Sequence, residues 1–391
     1  MKRLLPWAAA AIAMHVAAAP TIETTPAIPT YGPAIAMQLN TPDSMAYLPS
    51  VRYKRSGNDI TVEYEYVRSD FGPFSPAFGT PRLDVGELPP GNYRVTARLI
   101  DMEDPTAPVQ TVTSNVPVVP PQDWGIYTVP RAPISNDRVN LVIRSAAYFD
   151  PSSMRAAVNG NTVRVDFTYR ASAPTGGPTP QGLTSFASID VGRLAPGLYH
   201  AEGWGRPDTG GDPQRYFTLD FQVTAQSRVV EYYQGQLDHY FMAAGGDEVD
   251  LLDRGGQGGW GRTGQSFRAW SRQADAPAGA QPVCRFYAAG PNSHFYTGDA
   301  SECGELRSLE QAQRAQAEGS GKAFLGWGYE GIAFWALVPV NGQCPAGTKP
   351  VWRNYNNRAA ENDSNHRFTV DPQQHLAMQG WLDEGPAFCS P

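Results

Sequence analysis

Between Arg228 and its last residue the chain repeats one pattern three times, and no other feature limits its fold as much. The copies open with EYYQGQLDHYF from Glu231, RFYAAGPNSHFYT from Arg285 and RNYNNRAAENDSNHRFT from Arg353. They close with GWGRTGQSF from Gly259, GWGYEGIAF from Gly326 and GWLDEGPAF from Gly380. Aligned on these strings, His239, His294 and His366 are equivalent, as are Trp260, Trp327 and Trp381, and Phe267, Phe334 and Phe388. A catalytic histidine is tuned at one place by its own partners. One that recurs in every copy reads instead as a fold element, fixing a turn through its two ring nitrogens.

Three copies that fill a segment predict closed pseudo-threefold symmetry rather than an open-ended stack with capping repeats. The expected architecture is a three-lobed β-trefoil over residues 227–391, with lobes at 228–270, 282–337 and 344–391. The second copy carries an insertion, Gly304 to Gly319, in which Leu306, Leu309 and Ala312 or Gln313 fall at helical spacing, so a short surface helix is expected there. Copies two and three start with Arg285 and Arg353 and carry Glu330 and Glu384 in the closing string. This predicts the ion pairs Arg285–Glu330 and Arg353–Glu384, replaced in copy one by Glu231–Arg262.

All four cysteines lie in this segment, and none of their spacings is the CxxC of a zinc site. An even count in an exported chain reads as disulfides. Cys284 and Cys303 bracket the opening hairpin of copy two, and Cys344 and Cys389 bracket copy three, so pairing within each copy is expected. Export is read from the first residues: MKR is a positive start, LLPWAAAAIAMHV a short apolar stretch, and small residues end at Ala19. That describes a signal peptide over 1–19, and hence a secreted or periplasmic protein. No later run is long and apolar enough to span a membrane. The net charge of −7, with no basic stripe, argues against a nucleic-acid partner.

Over the whole chain, Gly (39) and Pro (35) are abundant beside 41% hydrophobic residues, a composition of many short strands joined by turns. DITVEYEYV from Asp59 and NYRVTARLI from Asn92 alternate with period two, and PVVPP from Pro117 serves as a linker. RLDVGELPPGNYRVTA from Arg82 is echoed by SIDVGRLAPGLYHAEG from Ser188. The shared L-x-P-G-x-Y resembles the tyrosine corner of fibronectin type III and immunoglobulin-like sandwiches, which implies structural roles for Tyr93 and Tyr199. The expected fold class is therefore all-β: two β-sandwich domains, residues 20–121 and 122–226, followed by the trefoil.

The strings EYYQGQLDHYF, SHFYT, CPAGTKPVWRNYN, NHRFT and the terminal GWLDEGPAFC together resemble a repeat family of unknown function found at the ends of secreted bacterial and fungal proteins. The resemblance covers Arg228 to Pro391 and implies an accessory role, such as binding carbohydrate or cell-envelope material. Copy one departs from it by lacking the closing glutamate, since Thr263 stands there.

H-E-x-x-H, G-x-S-x-G and P-loop patterns are absent, and GSGKA from Gly319 lacks the first glycine and the Ser/Thr of a P-loop. DTGGD at Asp208 reads as a hairpin tip, without the oxygen spacing of a calcium loop. The function expected is non-catalytic binding of an extracellular glycan or cell-surface component, with no cofactor and no metal. Aromatic platforms would be Tyr240, Tyr296 and Trp352, with Asn292, His294, Asn365 and His366 as polar partners and core packing as the competing fate of each ring. The alternatives are a protein-partner or inhibitor module, or a hydrolase with an unrecognised carboxylate pair.

Overall fold

The computed structural model describes residues 20–41, 44–68, 77–170, 182–256 and 258–391, so the segment read as a signal peptide lies outside the described residues. The protein is all-β, in several sheets.

In the first upstream unit a three-stranded sheet (Thr21–Thr25, Ile35–Asn40, Arg82–Gly86) faces a larger one containing Arg52–Ser56, Asp59–Arg68, Gly91–Asp101 and Gln110–Val118. Period-two alternation drives this: Ile60, Val62, Tyr64 and Tyr66 point inward while the residues between them face water. They meet Ile35, Met37, Leu39 and Leu83 of the small sheet in one core. The second unit is one six-stranded sheet, organised around the long strand Arg138–Asn159.

Both predicted tyrosine corners form. Tyr93 donates to the Pro89 carbonyl at 2.8 Å and Tyr199 to the Ala195 carbonyl at 3.0 Å. The immunoglobulin-type pairing expected around them does not. Asp59–Arg68 runs parallel to Gly91–Asp101, and Thr162–Tyr169 runs parallel to Gly197–Pro207, where that fold is antiparallel throughout. The cause is a crossover: the intervening strand, Arg82–Gly86 or Thr184–Arg193, pairs elsewhere before the chain returns.

In each C-terminal copy three antiparallel strands pair with the opening strand in the middle. Those of copies two and three are separate sheets, while the closing strand of copy one also pairs with Arg52–Ser56 and so joins the larger sheet of the first unit. The strands are Ser227–Gln234, His239–Ala243 and Trp260–Ala269; Gln281–Ala288, Ser293–Thr297 and Trp327–Ala336; and Lys349–Tyr355, His366–Thr369 and Leu382–Ser390. This corrects the trefoil expectation. A trefoil lobe contributes strands to a barrel shared with its neighbours, but here each middle strand is saturated on both sides by its own copy. Among the described residues, the strand pairing between neighbouring copies is limited to the isolated bridges Trp270–Trp335 and Leu337–Cys389.

What unites the copies is a common core. Val229, Val283 and Val351 pair with Phe267, Phe334 and Phe388. These three rings meet at centroid distances of 5.8, 6.2 and 5.5 Å. Both disulfides form as expected, Cys284–Cys303 and Cys344–Cys389. The expected helix in copy two is longer than its periodicity predicts. Helix α1 is Gly246–Asp253, α2 is Ala300–Ser320 and α3 is Pro372–Ala377, so a helix follows the second strand in every copy. In α2 the Asp299 carboxylate accepts from the Ser301 and Glu302 amides, and Gly321 at φ +66° ends the helix.

The module is docked on both upstream units. The Tyr240 hydroxyl donates to the Pro49 carbonyl at 3.1 Å, and the Asn136 side chain bonds the Arg228 backbone on both sides. Gly264 lies so close to the first unit that a Cβ there would meet Leu83 at 3.0 Å and the Asp84 backbone at 3.2 Å.

Tyr93→Phe and Tyr199→Phe should each lower stability by about 1 kcal/mol, read by urea unfolding, because each leaves a carbonyl short of its donor. An unchanged midpoint in both would remove the corner from the account of these units.

Candidate functional site

The registers fix which residues are equivalent across copies. Tyr232, Arg285 and Arg353 pair with Phe241, Tyr296 and Phe368 in turn, so the residue of copy one that stands where the arginines stand is Tyr232, not Glu231. Val230 and Glu231 separate Val229 from Tyr232, whereas only Cys284 and only Trp352 occupy that interval in copies two and three. This bulge explains why one expected ion pair fails. Arg285–Glu330 and Arg353–Glu384 form, each at 2.8 Å. Arg262 instead pairs with Asp253 at 2.7 Å, beneath Tyr232, whose hydroxyl donates to the same carboxylate at 2.9 Å.

The two arginines also reach across copies. Arg285 pairs with Glu248 of α1 at 2.8 Å, and Arg353 with Glu302 of α2 at 3.0 Å. Both glutamates are the third residue of their helix, and the third residue of α3 is Gln374. At the remaining seam the arginine, the closing glutamate and the helix glutamate have become Tyr232, Thr263 and Gln374 together. The bulged Glu231 takes over there, pairing with Arg367 of copy three at 2.9 Å and accepting from Thr263 at 2.7 Å. Both partners are nearly inaccessible, 3% and 2% exposed. The carboxylate beside it helps hold the buried Arg367 guanidinium firmly charged against the opposing cost of burial.

His239 joins all three copies. Its Nδ1 meets the Asn292 carbonyl at 3.0 Å and its Nε2 the Asp363 carboxylate at 2.9 Å, so it works as a pin between loops. His294 and His366 have another role. Each packs against an aromatic of its own copy, Tyr287 tilted against His294 and Tyr355 stacked on His366, and meets edge-on a phenylalanine of the preceding copy, Phe241 or Phe295. Burial, reinforced by Arg285 and His239, pushes the His294 imidazole down to about 3. Burial and then Arg353 push His366 equally far.

The residues expected to bind ligand are thus divided. Tyr296 is buried, its hydroxyl bonded to the Met242 amide and carbonyl, and Tyr240 is buried under the Arg367 guanidinium at 4.4 Å. Asn365 is buried, bonding the Tyr240 amide and the Asp238 carbonyl, and His294 and His366 lie within the seams. Asn292 is exposed but sits in a turn at φ +53°, accepting from Tyr287. Trp352 is half-buried and stacked on His375 at 5.1 Å. The structure does not bring these seven together.

What remains accessible is a groove of about 180 Å³ on copy two, between its strands and the inserted helix. Tyr287, Phe324 and Tyr329 line it, with Arg314 and Glu330 at its rim. The Arg314 guanidinium lies 4.1 Å over the Phe324 ring and is held by Glu310, which also accepts from the Tyr329 amide. Gly326 and Gly328 let α2 come close, since a Cβ at Gly326 would clash with the Gln313 side chain and one at Gly328 would crowd the Arg314 guanidinium at 3.0 Å. Sequence reasoning missed this site because the added length of α2 and the Phe324 loop have no counterpart in the other copies. A larger cleft of about 620 Å³ lies where both upstream units meet copy one. Most of its charges are already matched: Asp250 is forked by Arg193 and Arg138, Asp253 by Arg262, and Asp190 by Arg138. The Arg193 bonds hold the Asp250 carboxyl below its ordinary value.

Residues 226–390 match the family model for a domain of unknown function (DUF5648). No curated protein and no solved structure matches the chain significantly.

Arg367→Met should destabilise the chain by about 3–5 kcal/mol by leaving Glu231 buried and unpaired. The double change with Glu231→Leu should cost clearly less; equal losses would show the pair is not coupled. The histidines predict a pH dependence. Their folded values lie below the ordinary 6.5 of an unfolded chain, so the unfolded state gains protons first. Stability should fall as pH drops from about 6.5 towards 3, and the double variant His294→Gln/His366→Gln should flatten that slope in acid-unfolding curves.

Proposed function

We propose that this is a secreted, non-catalytic recognition protein, binding carbohydrate or cell-envelope glycan through the groove on copy two. The single observation that carries the reading is the groove's lining: Tyr287, Phe324 and Tyr329 border it together with a guanidinium stacked on Phe324 and the Glu330 carboxylate. Rings accept the apolar face of a sugar, and fixed charged donors and acceptors take its hydroxyls. The upstream units act as rigid spacers, a role supported by their buried tyrosine corners and by their close docking on copy one. Two disulfides are consistent with work in an oxidising compartment, and among the described residues no helix is long and apolar enough to cross a membrane.

A protein partner is the second reading, favoured by Leu325, which stands 58% exposed beside the groove. Calorimetric titration of the full chain with soluble oligosaccharides separates the two. A sugar should bind, and Phe324→Ala should weaken it at least about tenfold, or 1.4 kcal/mol, without lowering the melting temperature. If no sugar binds, or Phe324→Ala binds like the parent, the glycan reading of the groove is wrong.

A further inference from the structure

The second upstream unit carries an array that neither its fold nor the groove accounts for. On the solvent face of its sheet, three neighbouring strands place Thr162, His200 and Asp220 in one row and Arg164, Glu202 and Thr218 in the next; a third row holds Asp166, Trp204 and Arg215. The side chains are linked. His200 Nδ1 lies 2.6 Å from Asp220, Trp204 Nε1 donates to Glu202 at 2.8 Å, and Arg215 pairs with the other Glu202 oxygen at 2.7 Å. The Arg164 guanidinium lies 4.4 Å over the Trp204 ring and is forked onto Asp166.

The internal repeat shows that the fold does not need this. At the same register the first unit has Asp59, Arg94 and Asn115, then Thr61, Thr96 and Thr113, then Glu63, Arg98 and Thr111. Its central row is a threonine ladder, Thr96 and Thr113 lying 3.5 Å apart; its outer rows carry only the ion pairs Arg94–Asp59 and Arg98–Glu63, and these nine positions hold no ring. Exposed ion pairs add little stability, so the network in the second unit is not explained by folding.

We infer that this face is a second binding surface, for a run of two or three sugar units in a polysaccharide chain. Three strands give a flat area about 10 Å wide and 14 Å long. Its charges nearly cancel, which disfavours a strongly charged ligand, while an indole, two guanidiniums, an imidazole and three carboxylates offer fixed contacts to hydroxyls. The inference rests on the glycan reading of the chain and extends it, the groove taking a short or terminal sugar and the face an extended polymer.

The test is co-sedimentation of the full chain with cellulose, chitin and peptidoglycan sacculi, using Trp204→Ala, Arg215→Ala, Thr96→Ala and Phe324→Ala. The parent should sediment with at least one polymer. Trp204→Ala should weaken that at least about tenfold, Arg215→Ala should weaken it in the same direction, and Thr96→Ala in the first unit should leave it unchanged. The Arg215 variant decides the matter if Trp204→Ala fails to fold. Loss with both the face and the groove variants also supports the inference, because a groove acting alone would not sense Trp204 or Arg215. Normal sedimentation of both face variants, with loss only in Phe324→Ala, overturns the second surface and leaves the groove standing. If the parent sediments with no polymer, the face proposal falls, while sugar binding in titration would still uphold the groove.

Discussion

The C-terminal module depends on three phenylalanines meeting at one axis. Phe267, Phe334 and Phe388 come from equivalent strands, and their rings pack against one another in one shared core. A small sheet gains stability only when its apolar face is covered and removed from water. Packing the rings together supplies the missing layer for all three at once, which makes the copy number a requirement of the core. Around that centre the seams are ionic: Glu248–Arg285–Glu330, Glu302–Arg353–Glu384 and Glu231–Arg367.

The third seam shows how symmetry is lost without losing closure. Tyr232, Thr263 and Gln374 replace an arginine and two glutamates, so no charge of the original triad is left without its partners. One additional residue in the opening strand then turns Glu231 inward, where Arg367 meets it. Isolated charges are costly to bury, so a change of this kind holds only as a set.

Much of this was legible because the chain supplies its own comparison. The equivalent histidines, tryptophans and phenylalanines, both disulfides and two of the three ion pairs could be read from the copies alone. The tyrosine corners could be read from the echo between Tyr93 and Tyr199. What could not be read depends on register and on neighbours distant in sequence. The bulge at Val230 and Glu231 shifts alignment by one residue, and strings cannot show on which strand an insertion is absorbed. What covers Tyr240 could not be read, because its hydroxyl's partner, Pro49, lies far upstream in sequence. The trefoil expectation failed for a similar reason: repeat number implies closure, but strand sharing is decided by whether each middle strand already has two partners. The groove escaped notice because uniqueness carries no repeat signal, and Phe324 and Arg314 occur in one copy only.

The three copies form one cooperative body, closed by a shared core and bridged seams. Native-state hydrogen exchange of the full chain tests it most directly, by comparing the middle strands around Val229, Val283 and Val351. A single opening free energy common to all three strands is the predicted result. A copy whose strands exchange through a distinctly lower-energy opening, with the other two still protected, would contradict it.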